Sequence, residues 1–164
     1  KFEKMTLSRH EVAQHVRDSM ERANIGKGAA ELQNGKDFYK FFFTNFPAER
    51  KYFKGAENFT ADDVQKSERF EKQGQRVLLA VWILCNTFDD EKTFRAYARE
   101  TVNRHRQFKM DPALWSAFFA VFTGYLESKG DKLTADQKAA WDKLGAEFNE
   151  ECQSHLKESG LPHV

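Results

Sequence analysis

From Val12 to Leu156 the apolar residues of this chain recur at spacings of three and four, and a helix turning every 3.6 residues is what gathers such positions onto one face. A half-buried strand needs strict alternation between apolar and polar residues, and few stretches here show it. With three prolines in 164 residues, little interrupts the pattern. The chain reads as all-α: six substantial helices and one or two short ones around one core. It is a single domain over residues 1–164, with 1–7 as an N-terminal extension and 158–164 as a C-terminal tail. A chain of this length buries roughly two thirds of the surface its unfolded form exposes, and neither a repeat nor a long linker divides it.

The helix boundaries follow from capping residues. Ser8 starts a helix through Val12, Val16 and Met20 that breaks at Ile25-Gly-Lys-Gly28. A second runs from Ala29 to Phe46, with Leu32, Gly35, Tyr39, Phe42, Phe43 and Phe46 inward, and stops against Pro47. Pro47 to Phe59 reads as one helical turn and a loop, with Tyr52, Phe53 and Phe59 as inward anchors. Thr60-Ala-Asp-Asp63 has the form of a capping box with an aspartate in the usual glutamate position. Ser67 opens a long helix to Thr87, and Asp89-Asp90 open another carrying Phe94, Tyr97, Ala98, Thr101, Val102 and His105. Asp111-Pro112 is a cap with proline at the first helical position, starting a helix with Leu114, Trp115, Phe118, Phe119, Phe122 and Leu126. Thr134 caps the last helix, whose stripe is Trp141, Leu144, Phe148, Cys152 and Leu156, with His155 and His163 near a frayed end.

Charge and cysteine usage exclude several classes of function. There are 26 basic and 25 acidic residues and no basic block to track phosphates, so nucleic acid is not an expected partner. The longest apolar run, Val77 to Cys85, is far short of the roughly 20 residues that span a bilayer, so no membrane is expected either. Cys85 and Cys152 lack metal-site spacing and read as reduced, buried thiols. The chain begins at Lys1, which leaves a removed leader open, and Asn58-Phe-Thr60 is a glycosylation sequon that matters only in a secreted chain. No strand exists to carry a phosphate loop or a nucleophile elbow. Sixteen phenylalanines, four tyrosines and three tryptophans suit a core built around something flat or bulky.

Three polar heads stand on apolar helix faces: Tyr39, Gln73 and His105. Taken singly, each has a structural reading: a buried tyrosine bonded to a backbone carbonyl, a glutamine at the rim of its face, a histidine favoured near a helix C-terminus. Gln73 is the sharpest case, because a buried amide without a partner destabilises by about 1–3 kcal/mol. The glycine beside it, Gly74, lowers helix propensity by about 1 kcal/mol against alanine, which the close passage of another backbone, that of Gly35, would explain. Together the three leave an aromatic helical pocket with one imidazole able to bind iron supplied by a cofactor.

At this point the chain resembles the globins, and among them the nematode globins. The likeness rests on Tyr39-Lys-Phe-Phe-Phe-Thr-Asn-Phe-Pro47, Arg50-Lys-Tyr-Phe-Lys54, Phe59-Thr-Ala-Asp-Asp-Val-Gln65, Lys72-Gln-Gly-Gln75, Arg104-His105 and Asp111-Pro-Ala-Leu-Trp115. The resemblance implies a globin fold of six to eight helices around a haem b (iron protoporphyrin IX) pocket. It implies His105 as the proximal ligand of the haem iron, Phe53 stacked on haem, Val77 lining the ligand side, and Tyr39 and Gln73 as the donors to bound dioxygen. Phe43, Phe70 and Phe118 or Phe119 either line the pocket or are core, and Arg76 either reaches a haem propionate or is solvated.

The implied function is reversible dioxygen binding for storage or transport, with high affinity from the two distal donors; other diatomic gases are implied ligands. The implied protein is not an enzyme, although nitric oxide dioxygenase, peroxidase-like or sensor activity of the oxygenated haem is the alternative. A cytoplasmic location is expected, with secretion as the alternative, and a homodimer stays open.

Overall fold

The first turn of every helix leaves amide hydrogens without intrahelical partners, and the sequence supplies acceptors for them. In the computed structural model, which describes residues 6–164, the side chains of Ser8, Thr60, Ser67, Asp90 and Thr134 each accept from the amide three residues on. At Ser8, Thr60 and Thr134 the bond is reciprocal: Glu11, Asp63 and Gln137 reach back to the cap amide at 3.0, 2.9 and 3.0 Å. The shorter aspartate at Asp63 thus completes the box.

Seven α-helices result among the described residues: α1 (Arg9–Met20), α2 (Ala29–Asn45), α3 (Ala61–Gln65), α4 (Glu68–Thr87), α5 (Glu91–Arg104), α6 (Leu114–Ser128) and α7 (Ala135–Glu158). Three 3-10 segments, Glu21–Ala23, Pro47–Tyr52 and Arg106–Phe108, lie in the connections. Residues 1–5, most of the expected N-terminal extension, lie outside the described part. No helix among the described residues is long and apolar enough to cross a membrane.

The helices pack in two groups. α2 crosses α4 at Gly35 and Gly74, where a Cβ added to Gly35 would stand 2.6 Å from the carbonyl carbon of Gly74. Both glycines are there because two backbones touch. On the other side α1, α5 and α6 rest on α7, whose stripe of Trp141, Leu144, Phe148, Cys152 and Leu156 is buried as expected. Cys85 and Cys152 are both unpaired and fully enclosed, and burial pushes both thiols well above their ordinary pKa.

Three expectations need correction. Phe46, expected inward, is 38% exposed; α2 ends at Asn45, and the backbone of Phe46 (φ −133°, ψ 59°) has already left the helical face. Phe38 is buried instead, against Phe118, Phe122 and Tyr125 of α6, because α2 is covered by α6 as well as by α4. Asp111-Pro112 does not open α6 directly. The Asp111 carboxylate accepts from the Ala113 amide at 2.9 Å, a side-chain-capped turn that places the helix start at Leu114.

The C-terminal end of α7 is not frayed. Gly160 takes a left-handed φ of +70°, and the amides of Leu161 and Gly160 return to the carbonyls of Leu156 and Lys157 at 2.9 and 3.1 Å. That is a Schellman closure, which needs a residue free to adopt positive φ. The Val164 amide then donates to Gln153 Oε1 at 3.0 Å, and His155 pairs with Asn103 at 2.8 Å.

Candidate functional site

The α2–α4 crossing fixes two polar side chains relative to each other. Tyr39 lies one turn beyond Gly35 on α2, and Gln73 lies beside Gly74 on α4. Tyr39 is 4% exposed, its ring packed on Phe70, Phe38, Phe53 and Phe43 at centroid distances of 5.1, 5.2, 5.5 and 5.7 Å. Burial pushes its hydroxyl up to about 12, while the Gln73 side chain, then the charges of Arg69 and Arg76, pull the other way. Tyr39 therefore stays protonated across the physiological range as a neutral donor. The Gln73 side chain is thus the hydrogen-bonding neighbour of the phenol.

The aromatic wall around them has two layers. Phe43 and Phe70 have next to no open surface and stand behind Tyr39 and Phe53. Phe53, carried just beyond the Pro47–Tyr52 segment, is half-buried, and so is Val77, one turn along α4 from Gln73. Of the two α6 candidates, Phe118 is the half-buried one, beside Phe38. Phe119 instead packs on Phe148 and Trp141 of α7. Arg76 is exposed on the rim of α4.

His105 caps the C-terminal end of α5. Its Nδ1 lies 2.7 Å from the Thr101 carbonyl, and since a carbonyl only accepts, Nδ1 carries the hydrogen. Nε2 is therefore the nitrogen with a free lone pair. Burial lowers the imidazole pKa, against the Thr101 bond that raises it, so the ring is held neutral. Trp115 and Phe108 flank it edge-on at 5.2 and 5.8 Å.

The Thr101 carbonyl and Phe108 are neighbours of His105 that residue-by-residue reading does not assign to it, and Phe42, Tyr97 and Met110 are half-buried against the same core. Spacing held one signal: Thr101 precedes His105 by four residues, where a helix stacks one residue over the other.

Whether these residues suit haem can be tested on the three polar heads. The Tyr39 hydroxyl has the Gln73 side chain as its hydrogen-bonding neighbour, and the Nδ1 bond of His105 leaves its Nε2 free. None of the three is among the described side-chain groups sealed without a partner, which belong to Arg9 and Arg17. Nor do three imidazole, thiol or carboxylate groups converge among the described residues to hold a bare ion. A neutral imidazole with one free nitrogen, half-buried apolar faces and a tyrosine beside a glutamine fit an iron that arrives in a flat organic cofactor.

The sequence pattern described as Globin matches residues 36–152. A myoglobin of Nippostrongylus brasiliensis is 63% identical over 146 residues, covering 89% of this chain and 94% of the relative. A cuticular globin isoform of the same species is 52% identical, covering 96% and 91%. The solved structure of the Caenorhabditis elegans globin-like protein is 59% identical and superposes with a TM-score of 0.94, covering 96% of this chain and 99% of that one.

Proposed function

The chain belongs to the globin family, and on that premise we propose that it binds dioxygen reversibly at a haem held by His105, with Tyr39 and Gln73 as hydrogen-bond donors to the gas. The observations that carry this reading are the neutral His105 with its Nε2 left free and the Tyr39 hydroxyl set beside Gln73 among Phe43, Phe53 and Phe70. A ferrous haem, when bound, would supply an iron site for dioxygen.

His105 Nε2 would hold the iron, and its Nδ1 bond to Thr101 fixes the tautomer and limits ring rotation. Phe53, Val77 and Phe118 offer the apolar faces, while Phe43 and Phe70 hold Tyr39 and Phe53 in place. Arg76 stands at the rim, where a guanidinium suits a haem carboxylate. Tyr39 and Gln73 make high affinity the expected property. A hydrogen bond to a group bearing charge contributes about 1.5–3 kcal/mol, and every 1.4 kcal/mol is a factor of ten. Carbon monoxide carries little charge on its outer atom and gains less from the same donors. Unlike a histidine in its place, Gln73 does not titrate near neutrality, so acid does not open the distal side.

The role is that of a carrier or store. Oxidation of nitric oxide or reduction of peroxide would need an outside reductant for repeated turnover. The gas-binding chemistry proposed is one that a body myoglobin and a cuticular globin would share.

The test is a visible spectrum of the ferrous protein under oxygen, followed by stopped-flow release. A Soret band is expected, and its absence sinks the reading. Tyr39→Phe and Gln73→Leu are each expected to speed oxygen release by about tenfold, one charge-assisted bond. Unchanged release in both would show that the donors are not aimed at the gas.

A further inference from the structure

The Pro47–Tyr52 segment carries the chain into Phe53, and the Arg106–Phe108 segment leads from His105 toward α6. These two stretches, 59 residues apart, meet through one hydrogen bond: the Asp111 amide donates to the Tyr52 hydroxyl at 3.2 Å. The connection has other ties, but they lead elsewhere. Arg106 donates to Ser159 at 3.1 Å and Gln153 to the Pro112 carbonyl at 2.9 Å, both anchoring it to α7 and its end. Phe108 and Lys109 are exposed, and Lys109 holds a left-handed φ of 47° that a side chain disfavours. The connection is thus well attached behind His105 and attached to the Pro47–Tyr52 segment, among the described side-chain bonds, by Tyr52 alone.

We infer that Tyr52 is a positioning residue for cofactor retention: its hydroxyl latches the segment that carries Phe53 to the connection that follows His105, and the latch must open before haem leaves. The inference rests on the haem reading above. Phe53 follows Tyr52 directly, so the bond to Asp111 fixes the backbone that aims Phe53, and Lys51 caps the outer face of the Tyr52 ring at 5.2 Å. The site for gas is built from other residues. The latch should therefore act on haem loss more than on gas release.

The experiment measures transfer of haem from the ferric protein to an excess of a colourless apoglobin, beside oxygen release from the ferrous protein. Tyr52→Phe is expected to speed haem loss by about three- to tenfold, the range for one neutral hydrogen bond, with a much smaller change in oxygen release. Tyr39→Phe is expected to show the reverse split. Asp111→Asn, which keeps the donating amide and a capping side chain, is expected to lose haem at the parent rate. Amide hydrogen exchange in the haem-loaded carbon monoxide form gives a reading independent of both, with the Asp111 amide exchanging faster in Tyr52→Phe. Haem loss within twofold of the parent, or an equal change in haem loss and oxygen release, overturns the latch. A parent protein that takes up no haem overturns the underlying reading as well.

Discussion

At the scale of single residues, His105 has the most exposed dependence on its neighbours. Its neutral state comes from burial, its tautomer from Thr101 and its lateral fit from Trp115 and Phe108. Removing the ring while keeping that surround should leave a hole of imidazole shape. His105→Gly is expected to bind haem far more weakly, and added free imidazole to restore the Soret band; titration of haem with and without imidazole checks this. Gln73 was legible in the sequence because an amide on an apolar face is an anomaly that asks for a partner. The Thr101 carbonyl and the Tyr52–Asp111 bond were not, since backbone acceptors and donors carry no residue signature and 59 residues separate the second pair.

Among the elements, the α2–α4 crossing has the least tolerance. A Cβ at Gly35 would meet the carbonyl carbon of Gly74 at 2.6 Å and its Cα at 2.8 Å, and backbone cannot swing aside as the end of a side chain can. Gly35→Ala is expected to destabilise the fold by about 1–3 kcal/mol, the range for overpacking, read as a lower denaturant midpoint. It should also speed oxygen release, because Tyr39 and Gln73 hang from the same crossing. Sequence pattern placed this contact correctly, since two glycines inside otherwise apolar helices needed a reason. The same pattern misplaced the start of α6 and the direction of Phe46, where a side-chain-capped turn and an early helix end overrode the helical signals.

Across the whole molecule, ionised carboxylates secure helix starts and turns. Glu11 and Asp63 are held below their ordinary range chiefly by the amides of Ser8 and Thr60, Asp90 by the Thr93 hydroxyl, Asp89 by the Arg17 guanidinium and Glu57 by the Gly55 amide. Each group has a lower pKa folded than unfolded, so the unfolded chain binds more protons on acidification. Their support is complete above the ordinary values of 4.5 for glutamate and 3.8 for aspartate and fades as pH falls through the folded ones. The thermal midpoint of the protein is expected to fall slightly below about pH 6.5, where the unfolded His105 takes up a proton that the buried ring refuses, and to drop more steeply below about pH 4, as scanning calorimetry across that range would record.

The two enclosed thiols give this fold an internal clock. Cys85 belongs to α4, which bears Gln73, and Cys152 to α7, on the far side of the core, its sulfur 4.0 Å from the Ala98 carbonyl. A thiol reagent reaches neither until the surrounding helices part, and burial keeps both sulfurs in their unreactive protonated form until then. Labelling of each cysteine therefore counts separate opening events, one on α4, about 18 Å along the helix from Gln73, and one on α7. The chain carries its own pair of reporters for whether α4 and α7 part from the core together or separately.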